Sequence, residues 1–480
     1  MGYMVIEDFS GGLDTRKRPV SARAGTLQTL KNAFINSGNE IEKRKAFSGA
    51  GTLPDVTLGL GFFGTEIVTF GTTAAATVDP SMPDYTRYLE ITQIGGEDPD
   101  YIADVAIFGD QLVVIAHYPS TGENAFLFDN TYARTDLGDI GTNARAHEGR
   151  LYVVDGIDLK LSVNNDPSDF SGTGSGTIDV RTYDANITSM IGIEKYYNSL
   201  ALLGQNAIQI WATDADPAQH SLLQTLDNIG VVSAQAAAAF GTGDLLFLSN
   251  TGVRSLRARD SSNNAVLTDI GAPIDPTLQN LRAAMTSAEA RKITALVDPL
   301  TGQFWLIWGR YIYVLSYWPG TGVAAWSVYD VGTEIVSAVV AGARVVLRTA
   351  GDDLLVYGTY DGAASPWLAN EAVGLSAENY DSSTVTVVTP MLDHGAPATE
   401  KVWQGLDVAC SGTWEVYACP DPRNPTAFVK VTTITDETLP LERIPLDMKG
   451  THIALKFVSQ GSTRATISSI MLHDDLAEAT

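Results

Sequence analysis

One pattern recurs along the chain. A Gly or Asn and one or two polar residues precede four or five mostly apolar residues of strand type. It reads GTEIVTFG at 64–71, GDQLVVIAH at 109–117, EGRLYVVDG at 148–156 and YNSLALLGQ at 197–205. It returns as TGDLLFLSN at 242–250, TGQFWLIWG at 301–309 and GARVVLRT at 342–349. The first apolar positions are Ile67, Leu112, Leu151, Leu200, Leu245, Phe304 and Val345, spaced 39 to 59 residues apart and about 46 on average. Most copies pass through a Gly, Asn or Asp turn into a second apolar run, as Leu151–Val154 does through Asp155-Gly156 into Leu159–Leu161. Short apolar runs joined this way predict hairpins buried on both faces. A unit of this length buries both faces only by stacking on its neighbours, which predicts the blades of a β-propeller, six or seven in number. A long β-sandwich or two unrelated β-domains is the alternative that the spacing leaves open.

Two stretches depart from the repeat. After the first copy, GTTAAATVDP (71–80) makes a poor second strand. In the longest interval, DPTLQNLRAAMTSAEARK (275–292) predicts a helix capped by Asp275 with Pro276 in its first position, inserted between strands. Beyond the repeat, 384–475 reads as continuous short strands. Ile453, Leu455 and Phe457 there alternate with His452, Ala454 and Lys456, as in a half-buried antiparallel strand. The fold class expected is all-β, with an N-terminal arm over 1–57, the propeller over 58–382 and a C-terminal β-sandwich over 383–480.

Composition narrows the partners. The 480 residues are 45% hydrophobic and 18% charged, with 31 basic and 56 acidic side chains and a net charge of −25. Phosphate neutralisation by Lys and Arg drives non-specific nucleic-acid binding, so the body of the chain suits neither DNA nor an anionic membrane. Charge is uneven, however. Residues 1–50 carry +3, which leaves −28 for the rest. The basic side chains Arg16, Lys17, Arg18, Lys43, Arg44 and Lys45, with Leu27, Leu30 and Phe34 from the amphipathic stretch 26–35, are the expected subunit-interface residues; a solvated tail is the alternative. Ser411-Gly412, between Cys410 and Cys419, looks like a hairpin turn that leaves the two thiols too far apart to bond. No run of 18 apolar residues and no signal-peptide pattern is found, so no membrane insertion is expected.

Candidate chemistry is sparse. The six His residues include no pair at metal-ligand spacing, and His117 and His147 lie 30 residues apart on strand ends. No nucleophile elbow, P-loop or dinucleotide fingerprint occurs. Asn164-Asn165-Asp166 with Asp169 is an oxygen-rich loop, read as a calcium site or a polar linker. The aromatic stretch from Trp305 to Trp326 is read as core, with a sugar platform as the alternative. Asp352-Asp353 and Asp474-Asp475 are adjacent pairs that point opposite ways on a strand. No catalytic residue, cofactor or metal is assigned.

The opening FSGGLDTRKRPVSARAGTLQTLKNAFINSGNEIEKRKAF (9–47) resembles the start of the tail nozzle proteins of short-tailed bacteriophages, also called tail tubular protein B. The segments LKLSVNNDPSDFSGTGSGTIDV, NAIQIWATDADPAQHSLLQTLDNIGVVSAQAAAAF and MLDHGAPATEKVWQGLDVACSGTWEVYA are similar to parts of related tail proteins. The resemblance implies a virion structural protein, assembled in the host cytoplasm and without catalysis. It implies a ring of identical subunits, usually six, beneath the portal and adaptor protein, in contact with tail fibres or spikes. Double-stranded DNA then passes through without specific binding, and an acidic wall that repels phosphate fits that passage. A propeller-type glycan-active enzyme and an intracellular interaction scaffold are the other readings.

Overall fold

The computed structural model describes residues 2–54, 57–72, 86–184, 186–241, 243–256, 269–358, 380–440 and 442–476. Seven sheets follow one another along the chain. Their first strands are Thr57–Phe63, Tyr101–Phe108, Asn143–His147, Met190–Tyr196, Ala237–Phe240, Thr294–Val297 and Ile335–Ala341. Each of these touches the first strand of the next sheet, and the seventh touches the first, so the ring is closed. The architecture is a seven-bladed β-propeller.

Every recurrent apolar segment is the second strand of its blade, from Glu66–Gly71 in blade one to Arg344–Thr349 in blade seven. These strands are buried almost throughout because each faces a neighbouring blade on both sides. That is why they read as continuous apolar runs rather than alternating ones. Blade one is irregular, its third strand Thr86–Glu90 running parallel to the second. Most of GTTAAATVDP lies outside the described residues. Among the described residues blade five has three strands, and two short helices, α1 (Asp275–Ala283) and α2 (Ser287–Arg291), precede blade six.

The single helix expected over 275–292 is therefore two, and Asp275 does not cap the first. Ile274 holds the cap position without a side-chain bond, while the Asp275 carboxylate receives Arg254 Nη1 at 2.9 Å. Asp275 is spent on tying the insertion back to blade five. Burial pushes its pKa up, against the pull of Arg254. Thr286 does cap α2, in a reciprocal box with Glu289.

The N-terminal segment is not a separate arm. It forms β1 (Gly2–Ile6), β2 (Thr29–Lys31), β3 (Ala33–Ile35), β4 (Ile41–Lys43) and β5 (Phe47–Thr52). β5 is the outer strand of blade seven, paired with Asp353–Tyr357. The other four belong to the C-terminal sandwich. β1 and β4 pair with Thr466–Leu476, and β2 pairs with Val385–Val388. β2 also pairs in parallel with Val323–Asp330, the outer strand of blade six, so one sheet runs from propeller into sandwich. The expected boundaries at 57 and 383 cut through shared sheets. In the sandwich, Trp403, Leu406 and Val408 of one sheet share a core with Trp414, Val416, Leu455 and Phe457 of the other. Ser411-Gly412 is a corner between those two sheets rather than a hairpin turn, because Lys401–Ser411 and Trp414–Cys419 have no partner strand in common. Both cysteines are free and buried, and burial pushes the Cys410 thiol up to about 11.

Candidate functional site: the axial channel

The inner strands surround a cavity of about 890 Å³ on the propeller axis. Small side chains allow the strands to approach one another there. A Cβ on Gly59 would sit 2.9 Å from Ile102 of the adjoining inner strand, so only glycine fits. Ala237, Ala238 and Ala239 line the wall in blade five, and Ile107, half exposed, faces the cavity from blade two.

Within this wall Arg145 of blade three reaches both neighbours. Its Nη1 lies 2.9 Å from Asp104 Oδ2 in blade two, and its Nη2 lies 2.5 Å from Glu194 Oε1 in blade four. Asp104 also accepts the Ala144 N–H at 2.7 Å, and Asn143 Oδ1 accepts the Ile193 N–H at 2.8 Å. Three successive blades are thereby tied across their inner strands. Burial works against the guanidinium charge, but the two carboxylates outweigh it and hold the Arg145 pKa above its ordinary value. Sequence reasoning missed this brace, because Asn143–His147 and Met190–Tyr196 mix charged, polar and apolar residues and Arg145 does not stand out among them.

At the mouth where the inner strands begin, α2 delivers Arg291 and Lys292. The Arg291 guanidinium sits 4.4 Å over the ring of Tyr101, which stacks at 4.5 Å on His117. His117 Nδ1 is 2.6 Å from Asp100, and Lys292 is 2.7 Å from Glu334. Arg348, also in the wall, is 2.7 Å from Asp352. Burial raises the Tyr101 hydroxyl pKa. Among the described residues no group of three metal-ligating side chains gathers. Arg145, Lys292, Arg348 and His117 each face a carboxylate here, while Arg291 lies on the Tyr101 ring.

The expected interface residues divide. Leu27 and Leu30 are buried in the large core shared by sandwich and propeller, and Phe34 packs in the core between blades six and seven that includes Trp305, Tyr329 and Tyr357. Lys43 is fully buried, its ammonium donating to the carbonyls of Asp381 (2.8 Å), Ser383 (3.1 Å) and Gly461 (2.5 Å). Arg44 donates to Asp381 Oδ2 at 2.7 Å and to Asn32 Oδ1 at 3.1 Å, and stacks 4.7 Å over Phe47. These five side chains are committed inside their own subunit, so their assignment to a subunit interface is corrected. Their cationic and apolar character is used to pin the N-terminal strands. Lys45 is half-buried, while Arg16, Lys17 and Arg18 are exposed, Arg16 pairing with Asp14 at 2.7 Å.

The remaining candidates are also accounted for. His147 Nε2 is 3.0 Å from Thr213 Oγ1, so it and His117 have separate partners. The Asp166 and Asp169 carboxylates accept from Ser168, Ser171 and Gly172 in local turns. Asp474 pairs with His394 at 2.7 Å, whereas Asp475 turns away to Gln404. Trp305, Tyr313 and Trp326 are buried, with Trp305 edge-on to Tyr329 and Tyr357, so these three are core, whereas Trp308, Tyr311 and Trp318 are half-buried and Tyr317 is exposed.

No protein-family model matches the chain, and no curated protein does. Among solved structures it is similar to BamB from Moraxella catarrhalis, at 8% identity over 57% of this chain and 86% of that one, with a TM-score of 0.35. YCF48 from Cyanidioschyzon merolae is similar at 12% identity, covering 66% and 98%, with a TM-score of 0.36. Hsv2 from Kluyvelomyces marxianus is similar at 10% identity, covering 54% and 72%, with a TM-score of 0.33.

Proposed function

We propose that this chain is a non-catalytic scaffold, a rigid propeller–sandwich body that positions partner proteins. The brace of Asp104, Arg145 and Glu194 carries this reading. A propeller enzyme gathers reactive groups from several blades at the axis, and here the groups contributed by three blades hold one another. If the reading is right, Asp104→Asn and Glu194→Gln lower the melting temperature without abolishing any turnover. A hydrolytic activity on glycans or esters that vanishes with either single substitution would replace it with the enzyme reading.

The specific form we propose is the tail nozzle of a short-tailed phage, a ring of identical subunits that docks an adaptor above and lets DNA pass. Its support is the resemblance of residues 9–47, which form the strands that join sandwich to propeller. The exposed Arg16–Arg18 cluster is then what remains of the proposed contact with an acidic neighbour. Sedimentation velocity and negative-stain microscopy of the purified protein test it. Closed rings, lost on the triple substitution of Arg16, Lys17 and Arg18 by Glu, are expected. A monomer at every concentration tested would remove the nozzle reading and leave the scaffold one standing.

A further inference from the structure

A second cavity, of about 380 Å³, opens between blades four and five. This lies at the small end of ligand pockets, which run to roughly 300–1,000 Å³. It is walled by turns rather than strands. Gln205 and Asn206 come from the turn between the second and third strands of blade four, and Asn250 from the corresponding turn of blade five. Asn186 comes from the approach to blade four, and Asp227 and Asn228 from its exit. These turns lie at the end where the inner strands begin, on the same face as the channel mouth that carries Arg291.

The chemistry of this wall is narrow. Five carboxamides and one carboxylate surround the cavity, with no cation, and Ile229 is the one large apolar side chain. Asn186 Nδ2 donates to Asp227 Oδ1 at 3.1 Å, which fixes that side of the rim. The carboxamides of Gln205, Asn206, Asn228 and Asn250 make no side-chain hydrogen bond to the described residues. The backbone that presents them is held firmly. A Cβ on Gly230 would lie 2.0 Å from the Gln205 carbonyl, so the exit of blade four packs directly on the Gln205 turn, and Val231 N–H donates to Gly204 O at 3.0 Å.

We infer that this cleft binds a neutral carbohydrate. A carboxamide offers a donor and an acceptor side by side, and so does a pair of neighbouring sugar hydroxyls, so the two match in either orientation. The Asp227 carboxylate adds a strong acceptor for hydroxyl hydrogens. A phosphate or carboxylate ligand would meet the negative charge of Asp227 in a lining that, among the described residues, offers no Lys or Arg side chain to offset it. An extended peptide requires the backbone row of an open strand edge, which turns do not supply.

The test is saturation-transfer NMR and calorimetry on the full chain with chitohexaose, mannohexaose and maltohexaose, beside a neutral acetylated hexapeptide. At least one sugar is expected to bind saturably and equally well at low and high salt. Gln205→Ala with Asn250→Ala is expected to weaken that binding about tenfold or more, the loss of two ligand hydrogen bonds, with the melting temperature unchanged. If that variant melts lower, Gln205→Met with Asn250→Leu keeps the side-chain volume and removes the hydrogen-bonding groups without adding charge, and the same loss is expected. Failure of all three sugars to bind, binding confined to the peptide, or wild-type affinity in the variants would each overturn the inference.

Discussion

Val356 of the last blade lies opposite Ser48 of the N-terminal segment in an antiparallel ladder, so the first strand to reach the propeller completes its seventh sheet. Four strands ahead of it belong to the sandwich, and Lys43 and Arg44 fasten them from within. The ring and the sandwich thus share sheets through this segment.

Removal of residues 2–52 is therefore expected to abolish cooperative folding, not to yield a trimmed propeller. It strips the outer strand from blade seven and four strands from the sandwich, and exposes unpaired edges. Circular dichroism melting and sedimentation of the truncated protein check this; a sharp transition near that of the full chain would show the segment to be dispensable.

Asp330 sits where sandwich meets propeller. Lys31 Nζ approaches it at 2.7 Å and Arg310 Nη2 at 2.6 Å. Burial acts to raise its pKa, but the bonds from Arg310 and Lys31 prevail and bring it down from 3.8 to about 2. As pH falls below 3.8 the unfolded chain takes up the proton first. The stabilisation is thus complete above that value and lost by about pH 2, at most on the order of 2 kcal/mol. Asp330→Asn should be less stable at neutral pH and show a flatter decline in acid, measured by urea unfolding across that window.

Arg145→Met is expected to cost about 3–5 kcal/mol, because it strands two carboxylates that the native wall holds against one cation. Adding Asp104→Asn and Glu194→Gln to the same chain should recover part of the loss. Denaturant unfolding of the single and triple variants decides whether the brace acts as a unit.

Much of this fold was legible. The seven second strands stand out because burial on both faces leaves no polar alternation, and the hairpins after them carry their own turn residues. Inner strands were not, since Met190–Tyr196 mixes Gly192, Glu194 and Lys195 with its apolar residues and faces a polar channel on one side. β2, β3 and β4, at three residues each, are too short to show a period. Lys43 and Arg44 read as subunit-interface residues because cations are rarely buried inside one subunit, and the acceptors that permit it here, near Asp381 and Gly461, are remote in sequence. The Asn and Gln residues of the cleft between blades four and five likewise sit in four separate turns, each an ordinary loop by itself.

Cys410 and Cys419 are both buried, and thiolate rather than thiol is the reactive form. Neither should react with a thiol reagent in the native protein, and both should in urea. Rapid native labelling would show that the sandwich opens at the corner of Gly412, where φ is +77° and a Cβ would lie 2.6 Å from the Arg464 carbonyl.

The closure of blade seven also sets a timetable for synthesis. β5 leaves the ribosome before any blade exists, yet its partner strand ends at Tyr357. Domains generally fold from the N-terminus as they emerge, but this ring cannot shut while its seventh sheet is still being translated. Until then the nascent chain carries an uncovered apolar blade face at each end of an open arc.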